Sequence, residues 1–394
     1  MLMFAEARVQ VKAKCYDSDM LNEPVAFHQA PSSPPIGIAM NKILKSLAIG
    51  FGAILLLIVA LVAYLSLVFD PNQFKSQITQ IVFEKKQRTL SIEGDIKLRF
   101  FPKVGVDLGK VSLSARNSTE IFAKLDNARV SLALMPLLRK QLVVDKIALR
   151  GLNLHFQRNE KGESNIDDLL SKDASADDPT QSQKMQFDVE GIEVTDAAIQ
   201  VSDQQTQFMG ALQRFNFNSG RLAENTPTTI RLSTQIIAQQ KDAQATDVQL
   251  EVQTGLRFNL SEQDFGFDKL SLGLNGKLQG NTLKFNVNAP QLQMKAKELA
   301  LTLAGLEANL QTRIAQGAVD LRLNAPRIAM DKASASSDNI TASMTLTGEQ
   351  NLSLKLNTSK ISGSSKALSI DNIALDLERK QGAQLMKLNL TSAL

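Results

Sequence analysis

Residues 248–260 read VQLEVQTGLRFNL, and large apolar side chains occupy every second position of this stretch except position 254. Successive side chains of a β-strand point to opposite faces, so a period of two predicts a strand with one apolar and one polar face. The same alternation returns at residues 90–100, 104–108, 130–134, 185–189, 283–287, 299–303 and 352–356. The sequence therefore predicts a mainly β protein.

The apolar faces of these strands need a cover. No segment after Arg88 shows a long helical period, so helices are not expected to provide it. The cover could be a second sheet, closure into a barrel, or curvature into a trough whose apolar wall holds an apolar ligand. Periodicity alone leaves these three alternatives open.

Residues 46–69, SLAIGFGAILLLIVALVAYLSLVF, contain no charged side chain. A helix needs about 20 such residues to cross a bilayer. A cleavable signal peptide has a shorter apolar core and a cleavage site between small residues, which residues 68–71, VFDP, do not offer. Lys42 and Lys45 precede the segment, so the positive-inside rule places the N-terminus in the cytoplasm. We expect a single-pass anchor with the body outside the inner membrane.

The domain organisation follows from these segments. Residues 1–39 are rich in proline and are predicted to be a disordered extension; our hypothesis is that translation starts at Met40. Residues 40–69 form the anchor, 70–170 a first β region and 185–394 a second, repetitive one. Residues 171–184, SKDASADDPTQSQK, are predicted to be a linker.

A short amphipathic helix is expected directly after the anchor. Asp70 and Pro71 suit its N-cap and first position. Phe74, Ile78 and Val82 recur at helical spacing. The basic residues expected to close it are Lys85, Lys86 and Arg88.

Two local features interrupt the strand pattern. The alternation changes parity at Gly151, which predicts a bulge or tight turn. The sequence Asn-Ala-Pro occurs at residues 288–290 and again 36 residues later at 324–326, each time between alternating runs. We predict a repeat in which Asn-Ala-Pro forms a turn between two strands.

Composition disfavours catalysis and nucleic-acid binding. The chain has 44 basic and 40 acidic residues without a long basic cluster, so no nucleic-acid partner is expected. The single cysteine, Cys15, precedes the anchor, and His28 and His155 have no neighbouring His or Cys cluster. Nucleotide-binding and nucleophile-elbow motifs are missing. We expect a protein that is not an enzyme and that uses no metal or cofactor.

Several segments together resemble the AsmA-like proteins of Gram-negative bacteria. They are residues 70–74 (DPNQF), 90–98 (LSIEGDIKL), 101–102 (FP), 128–138 (ARVSLALMPLL), 144–154 (VDKIALRGLNL) and 159–169 (NEKGESNIDDL). The last is similar to a Gly-x-x-Asn segment of that family, although Ile166 stands where an aromatic residue is common. The resemblance is specific over residues 40–170 and architectural beyond them.

The resemblance implies a chorein-like region at residues 70–170 and a long, twisted antiparallel sheet curled into an apolar, β-taco-like groove. It also implies a role in outer-membrane biogenesis by binding or conducting phospholipid between membranes. The implied partners are the inner membrane, phospholipid and other envelope proteins. Many relatives are longer and carry a further C-terminal region, so two alternatives stay open: the chain is a short member of the family, or its β-groove region, residues 185–394, is truncated.

Candidate groove residues in the first β region are Ile92, Ile96, Leu98, Phe100, Val130, Leu132 and Leu134. The alternative for each is ordinary core packing. The alternative function is a non-enzymatic scaffold or assembly factor for outer-membrane proteins, which would bind partners by strand addition at an open sheet edge.

Overall fold

The computed structural model describes residues 70–99, 103–132, 144–170, 188–364 and 367–393, together with residues 52–53, 56–57 and 64. No helix within these residues is long and apolar enough to cross a membrane. Most of the predicted anchor, the extension 1–39 and the linker 171–184 lie outside them. The chain divides into two units, Met1–Tyr64 and Leu65–Leu394, and the sheet described below belongs to the second.

The predicted helix is present and begins as expected. A 3-10 turn, Pro71–Phe74, leads into α1, Lys75–Lys86, and the Asp70 carboxylate accepts a hydrogen bond of 2.9 Å from the Asn72 amide. Arg88 was predicted to close this helix, and that prediction is wrong. The helix ends at Gln87, whose φ of 54° turns the chain, and Arg88 lies beyond it with 1% of its surface exposed.

The described residues form 25 strands, which follow here in chain order together with the remaining helices. They are β1 Leu90–Ile92, β2 Ile96–Arg99, β3 Val104–Leu108, β4 Val111–Ser114, β5 Ile121–Leu125, β6 Asn127–Leu132, β7 Val144–Arg150, β8 Asn153–Arg158, α2 Asp167–Leu170, β9 Asp188–Val189, β10 Gly191–Asp203, β11 Phe208–Ser219, β12 Leu222–Ala223, β13 Thr228–Gln240, β14 Thr246–Asn259, β15 Asp264–Leu278, β16 Asn281–Lys295, a 3-10 turn Ala296–Glu298, β17 Ala300–Ile314, β18 Gly317–Met330, β19 Ala335–Ser337, β20 Ile340–Gly348, β21 Asn351–Thr358, β22 Ile361–Gly363, β23 Leu368–Ile370, β24 Asn372–Gln381 and β25 Gln384–Ala393.

One sheet contains 23 of these strands, and β9 and β12 form a separate two-stranded pair. Short strands lie end to end and share neighbours, so the large sheet has sixteen rows. In spatial order these are β1/β2, β3/β4, β5/β6, β7/β8, β10, β11, β13, β14, β15, β16, β17, β18, β19/β20, β21/β22, β23/β24 and β25. The rows therefore follow one another in the order of the chain.

The sheet is mixed, which corrects the prediction of a wholly antiparallel one. Strands β7 and β8 both pair with β10 in parallel, and the other pairings are antiparallel. The reason is the long connection between Arg158 and Gly191, which returns the chain to the end of the sheet from which β7 started. The same pairing joins the two predicted β regions into one sheet.

A line of bends crosses the sheet. The ladder is interrupted at residues 93–95, 109–110, 126, 151–152, 196–197, 214–215, 269, 290, 305, 326, 338–339, 359–360 and 371. Neighbouring interruptions lie opposite one another in the register. Strands β13 and β14 pair with each other without interruption. The interruption between β11 and β13 and that between β14 and β15 therefore lie at different positions along the strands, and the line is displaced at this pair. We call this feature the bend line.

Small side chains pack at the bend line. Ala289 and Ala325 are at most 1% exposed, the lowest exposure of any apolar residue described. Asn-Ala-Pro was predicted to form turns, and this was wrong: both copies lie inside single strands, β16 and β18. Proline has no N–H, so it fits a position where the hydrogen-bond ladder is already interrupted.

Candidate functional site

A continuous row of apolar residues crosses the sheet from one edge to the other. Directly paired residues of neighbouring strands project to the same face. Following these pairs from row to row gives Ile96, Leu108, Ala128, Leu149, Val194, Phe217, Leu232, Val252, Leu272, Val287, Ala308, Leu323, Ala342, Leu356, Leu375 and Leu390. We call this set the apolar row and its side of the sheet the apolar face.

The adjacent row on the opposite side is polar except for two alanines. It contains Lys97, Asp107, Arg129, Ala148, Glu193, Asn218, Arg231, Gln253, Ser271, Asn288, Glu307, Asn324, Thr341, Asn357, Ala374 and Thr391. We call this set the polar row. A single sheet thus separates an apolar surface from a polar one over its whole width.

The apolar face does not have the burial of a packed core. Fourteen members of the apolar row are half-buried, Ala128 is buried, and Leu390 at the last edge is 52% exposed. Among the described residues, the largest side chains less than 2% exposed are those of Arg88 and Thr234. The described part of the chain contains no second sheet beyond the short β9–β12 pair. These observations argue against a β-sandwich in the described region.

Five of the seven predicted groove residues are in the described region, and all five are half-buried. Ile96 belongs to the apolar row. Leu98 and Val130 both pair with Val106, and Leu132 pairs with Val104, which places these three on the same face. Ile92 lies across the bend line and pairs with Val111. Phe100 and Leu134 lie outside the described residues, and a lipid-binding role for all seven stays a prediction.

A buried charged cluster lies at the end of the sheet where α1 meets β1. The Arg88 Nε and Nη2 atoms donate hydrogen bonds of 2.9 and 2.6 Å to the Asp168 carboxylate in α2. Arg88 also donates to the Ser114 carbonyl at 3.0 Å and to the Asn165 carbonyl at 2.6 Å. Its guanidinium lies 5.0 Å from the centre of the Phe122 ring. The cluster therefore ties the start of the sheet to the segment after β8.

The electrostatics of this cluster favour the ionised carboxylate. Hydrogen bonds from Arg88 lower the pKa of Asp168 below its ordinary value, against the opposing effect of burial. The sequence analysis missed the pair because 80 residues separate its members, and no local pattern signals such a contact.

The segment that resembles Gly-x-x-Asn serves as a closing loop. The Asn165 side-chain amide donates to the His155 carbonyl at 2.7 Å and accepts from the Gln157 amide at 3.1 Å. It thereby takes the place of a strand beside β8, while Asp168 in α2 reaches Arg88. The segment positions the buried cluster.

The polar face has a shallow concavity of about 650 Å³. Its lining includes six members of the polar row, from Glu193 to Asn288. Within the described residues, no group of three or more His, Cys, Asp and Glu side chains could hold a metal ion. The apolar row, in contrast, is continuous from the first row of the sheet to the last, and this continuity makes the apolar face our candidate functional surface.

The fold and its faces define a class of protein: a single large mixed β-sheet, apolar on one side and polar on the other, preceded by a short helix. The chain belongs to the AsmA family, whose family model matches residues 40–392.

Protein AsmA of Escherichia coli K12 is 27% identical to this chain over 150 residues. That match covers 37% of the chain and 24% of the E. coli protein, so it spans about a quarter of the relative. No solved structure matches the chain.

Proposed function

We propose that this protein is a periplasmic envelope protein, anchored in the inner membrane, that contributes to outer-membrane biogenesis by binding phospholipid and conducting it between membranes. The observation that carries the proposal is the apolar row, which crosses all sixteen rows of the sheet without a polar residue. Family membership supports an envelope role.

Burial energetics favour acyl chains as the occupant of the apolar face. Removing one CH₂ group from water stabilises a complex by about 0.8 kcal/mol. The half-buried side chains of the apolar row have no second layer to cover them in the described region. In our proposal the sheet curls about the bend line with the apolar face inward, and acyl chains complete its cover while headgroups remain in water.

The dimensions of the sheet suit a path rather than a single pocket. Sixteen rows at a spacing of about 4.8 Å give an apolar surface roughly 70 Å long. A charged or polar group in the path would have to be desolvated as a chain passed, at a cost of roughly 2–7 kcal/mol. The uniform composition of the apolar row avoids that barrier. No catalytic residue is needed for such transport.

Site-specific photocrosslinking tests the binding step. A diazirine amino acid is placed at Leu232 in the apolar row, with Arg231 in the polar row as the matched control, in the full chain in Gram-negative cells. We expect phospholipid adducts by mass spectrometry at position 232 and background at 231. Equal yields at the two positions, or no lipid at either, would refute lipid binding on this face.

A second candidate function, a scaffold for outer-membrane proteins, is favoured by the last strand. In the described region β25 pairs with β24 alone, and three of its apolar-face residues, Met386, Leu388 and Leu390, are 44–52% exposed. An edge strand of this kind can accept a strand from another protein. A diazirine at Leu388 that captures an envelope protein, together with no lipid at Leu232, would favour the scaffold over the conduit.

A further inference from the structure

Helix α1 has two distinct sides. Its half-buried side consists of Lys75, Thr79, Val82 and Lys86. A different side carries Phe74, Ile78 and Ile81, which are 39%, 39% and 51% exposed. Their spacing of four and three residues places them on one face of a helix. We call these three residues the exposed stripe.

Basic side chains accompany the exposed stripe. Lys85 follows Ile81 by four residues and is exposed on the same face. Lys75 and Lys86 lie at the two ends of α1, and Glu84 is its one acidic residue. An exposed apolar stripe with an exposed lysine, Lys85, on the same face suits the surface of a bilayer that contains anionic phospholipid.

Chain length limits where this helix can lie. Five peptide units separate Phe69, the end of the apolar segment, from Phe74, and a fully extended chain spans at most about 3.6 Å per residue. The stripe must therefore begin within roughly 18 Å of the end of the predicted anchor. The headgroup layer on each side of the hydrocarbon core is about 5–8 Å thick, so the connecting chain allows the stripe to lie in this layer.

We propose that α1 lies in the membrane–water interface, with Ile78 and Ile81 among the upper acyl chains and Lys85 near the phosphates of anionic phospholipid. The inference rests on the proposed membrane anchor. It extends that function by assigning a lipid-contact surface outside the apolar face. The position of α1 in the interface does not require lipid to move along the sheet.

The position of α1 also determines where the first row of the sheet lies. Asn72 accepts a hydrogen bond of 2.9 Å from the Ile96 amide and donates one of 3.4 Å to the Ile96 carbonyl, so it binds the 3-10 turn before α1 to the outer edge of β2. At the other end of α1, Asn117 donates to the Gln87 carbonyl at 2.9 Å. A helix in the interface would hold the first row of the sheet beside the bilayer, where lipid could enter.

Tryptophan fluorescence gives a direct test because the chain contains no tryptophan. The variants are Ile78→Trp and Ile81→Trp, and the matched control is Phe83→Trp. Phe83 is 53% exposed, but two residues beyond Ile81 it lies on nearly the opposite side of the helix. Each full-length variant is placed in nanodiscs that contain anionic phospholipid brominated near the top of the acyl chains.

We expect bromolipid to quench the fluorescence of both stripe variants several-fold more than that of the control, and acrylamide to quench mainly the control. Adding Lys85→Glu to Ile81→Trp should reduce the bromolipid quenching. If the chain stays with the nanodiscs but acrylamide quenches all three variants equally, the proposed position of α1 is wrong and the membrane anchor still stands. Failure of the chain to stay with the nanodiscs would overturn the anchor and the inference together.

Discussion

At the scale of single residues, Arg88 is the centre of the buried charged cluster. It is a fully buried cation that binds one carboxylate and two carbonyl groups and contacts an aromatic ring. Removing one partner of such a pair leaves an uncompensated charge, which costs about 3–5 kcal/mol. An exposed pair contributes about 0–1 kcal/mol.

The first prediction compares two arginines. Arg88→Met should lower the free energy of unfolding of the sheet by about 3 kcal/mol or more, because Asp168 stays behind without its partner. Arg129→Met breaks a solvent-exposed contact of 2.9 Å with Asp107 and should cost about 1 kcal/mol or less. Urea unfolding followed by circular dichroism measures both. Similar shifts in the two midpoints would contradict a stabilising role for the buried cluster.

The second prediction concerns pH. The pKa of Asp168 is lower in the folded protein than its ordinary value of 3.8, so the ionised pair contributes its full stability above that value. The contribution disappears as the pH falls through the lowered folded pKa. The difference in stability between the wild type and Asp168→Asn should therefore be constant near neutrality and shrink below about pH 4. A difference that stayed constant into strong acid would argue against the assigned ion pair.

At the scale of elements, one position on the bend line has a specific need for glycine. Gly305 has a φ of 69°, a conformation that other residues adopt only with strain. A Cβ atom there would lie 2.9 Å from the ring of Pro290 on the neighbouring strand, and that ring cannot move aside. Gly382 has a φ of 57° in a hairpin turn, and its Cβ would meet nothing within 4 Å.

The third prediction uses these two glycines as a matched pair. Gly382→Ala should cost about 1–2 kcal/mol, the strain of the left-handed backbone alone. Gly305→Ala should cost a further 1–3 kcal/mol, because two bent strands approach too closely to accept a methyl group. Thermal unfolding of both variants checks this difference. Equal losses would mean that the bend line is not tightly packed.

Some of this element structure could be predicted from the sequence. The parity change at Gly151 indicates a bulge or tight turn, and the structure confirms an interruption of the strand there, with a φ of 65°. Asn-Ala-Pro resembles a turn sequence because asparagine and proline both favour turns. Tertiary pairing overrides that preference, since the residues on both sides continue in register with the same neighbours.

At the scale of the whole molecule, alternation predicts strands but not their partners. The mainly β composition is visible in the sequence because each strand must show one apolar face. The parallel pairing of β7 and β8 with β10 depends on a connection of about thirty residues, whose path no local pattern describes. The apolar row likewise becomes visible only when the register of every row is known.

The most direct test of the central claim asks whether lipid contacts the whole apolar row. A diazirine is placed in turn at Ile96, Leu149, Leu232, Leu272, Leu323 and Leu375, with the adjacent polar-row positions Lys97, Ala148, Arg231, Ser271, Asn324 and Ala374 as controls. We expect phospholipid adducts at all six apolar positions and background at all six controls. Adducts confined to one or two neighbouring positions, or present equally on both faces, would contradict a continuous lipid path.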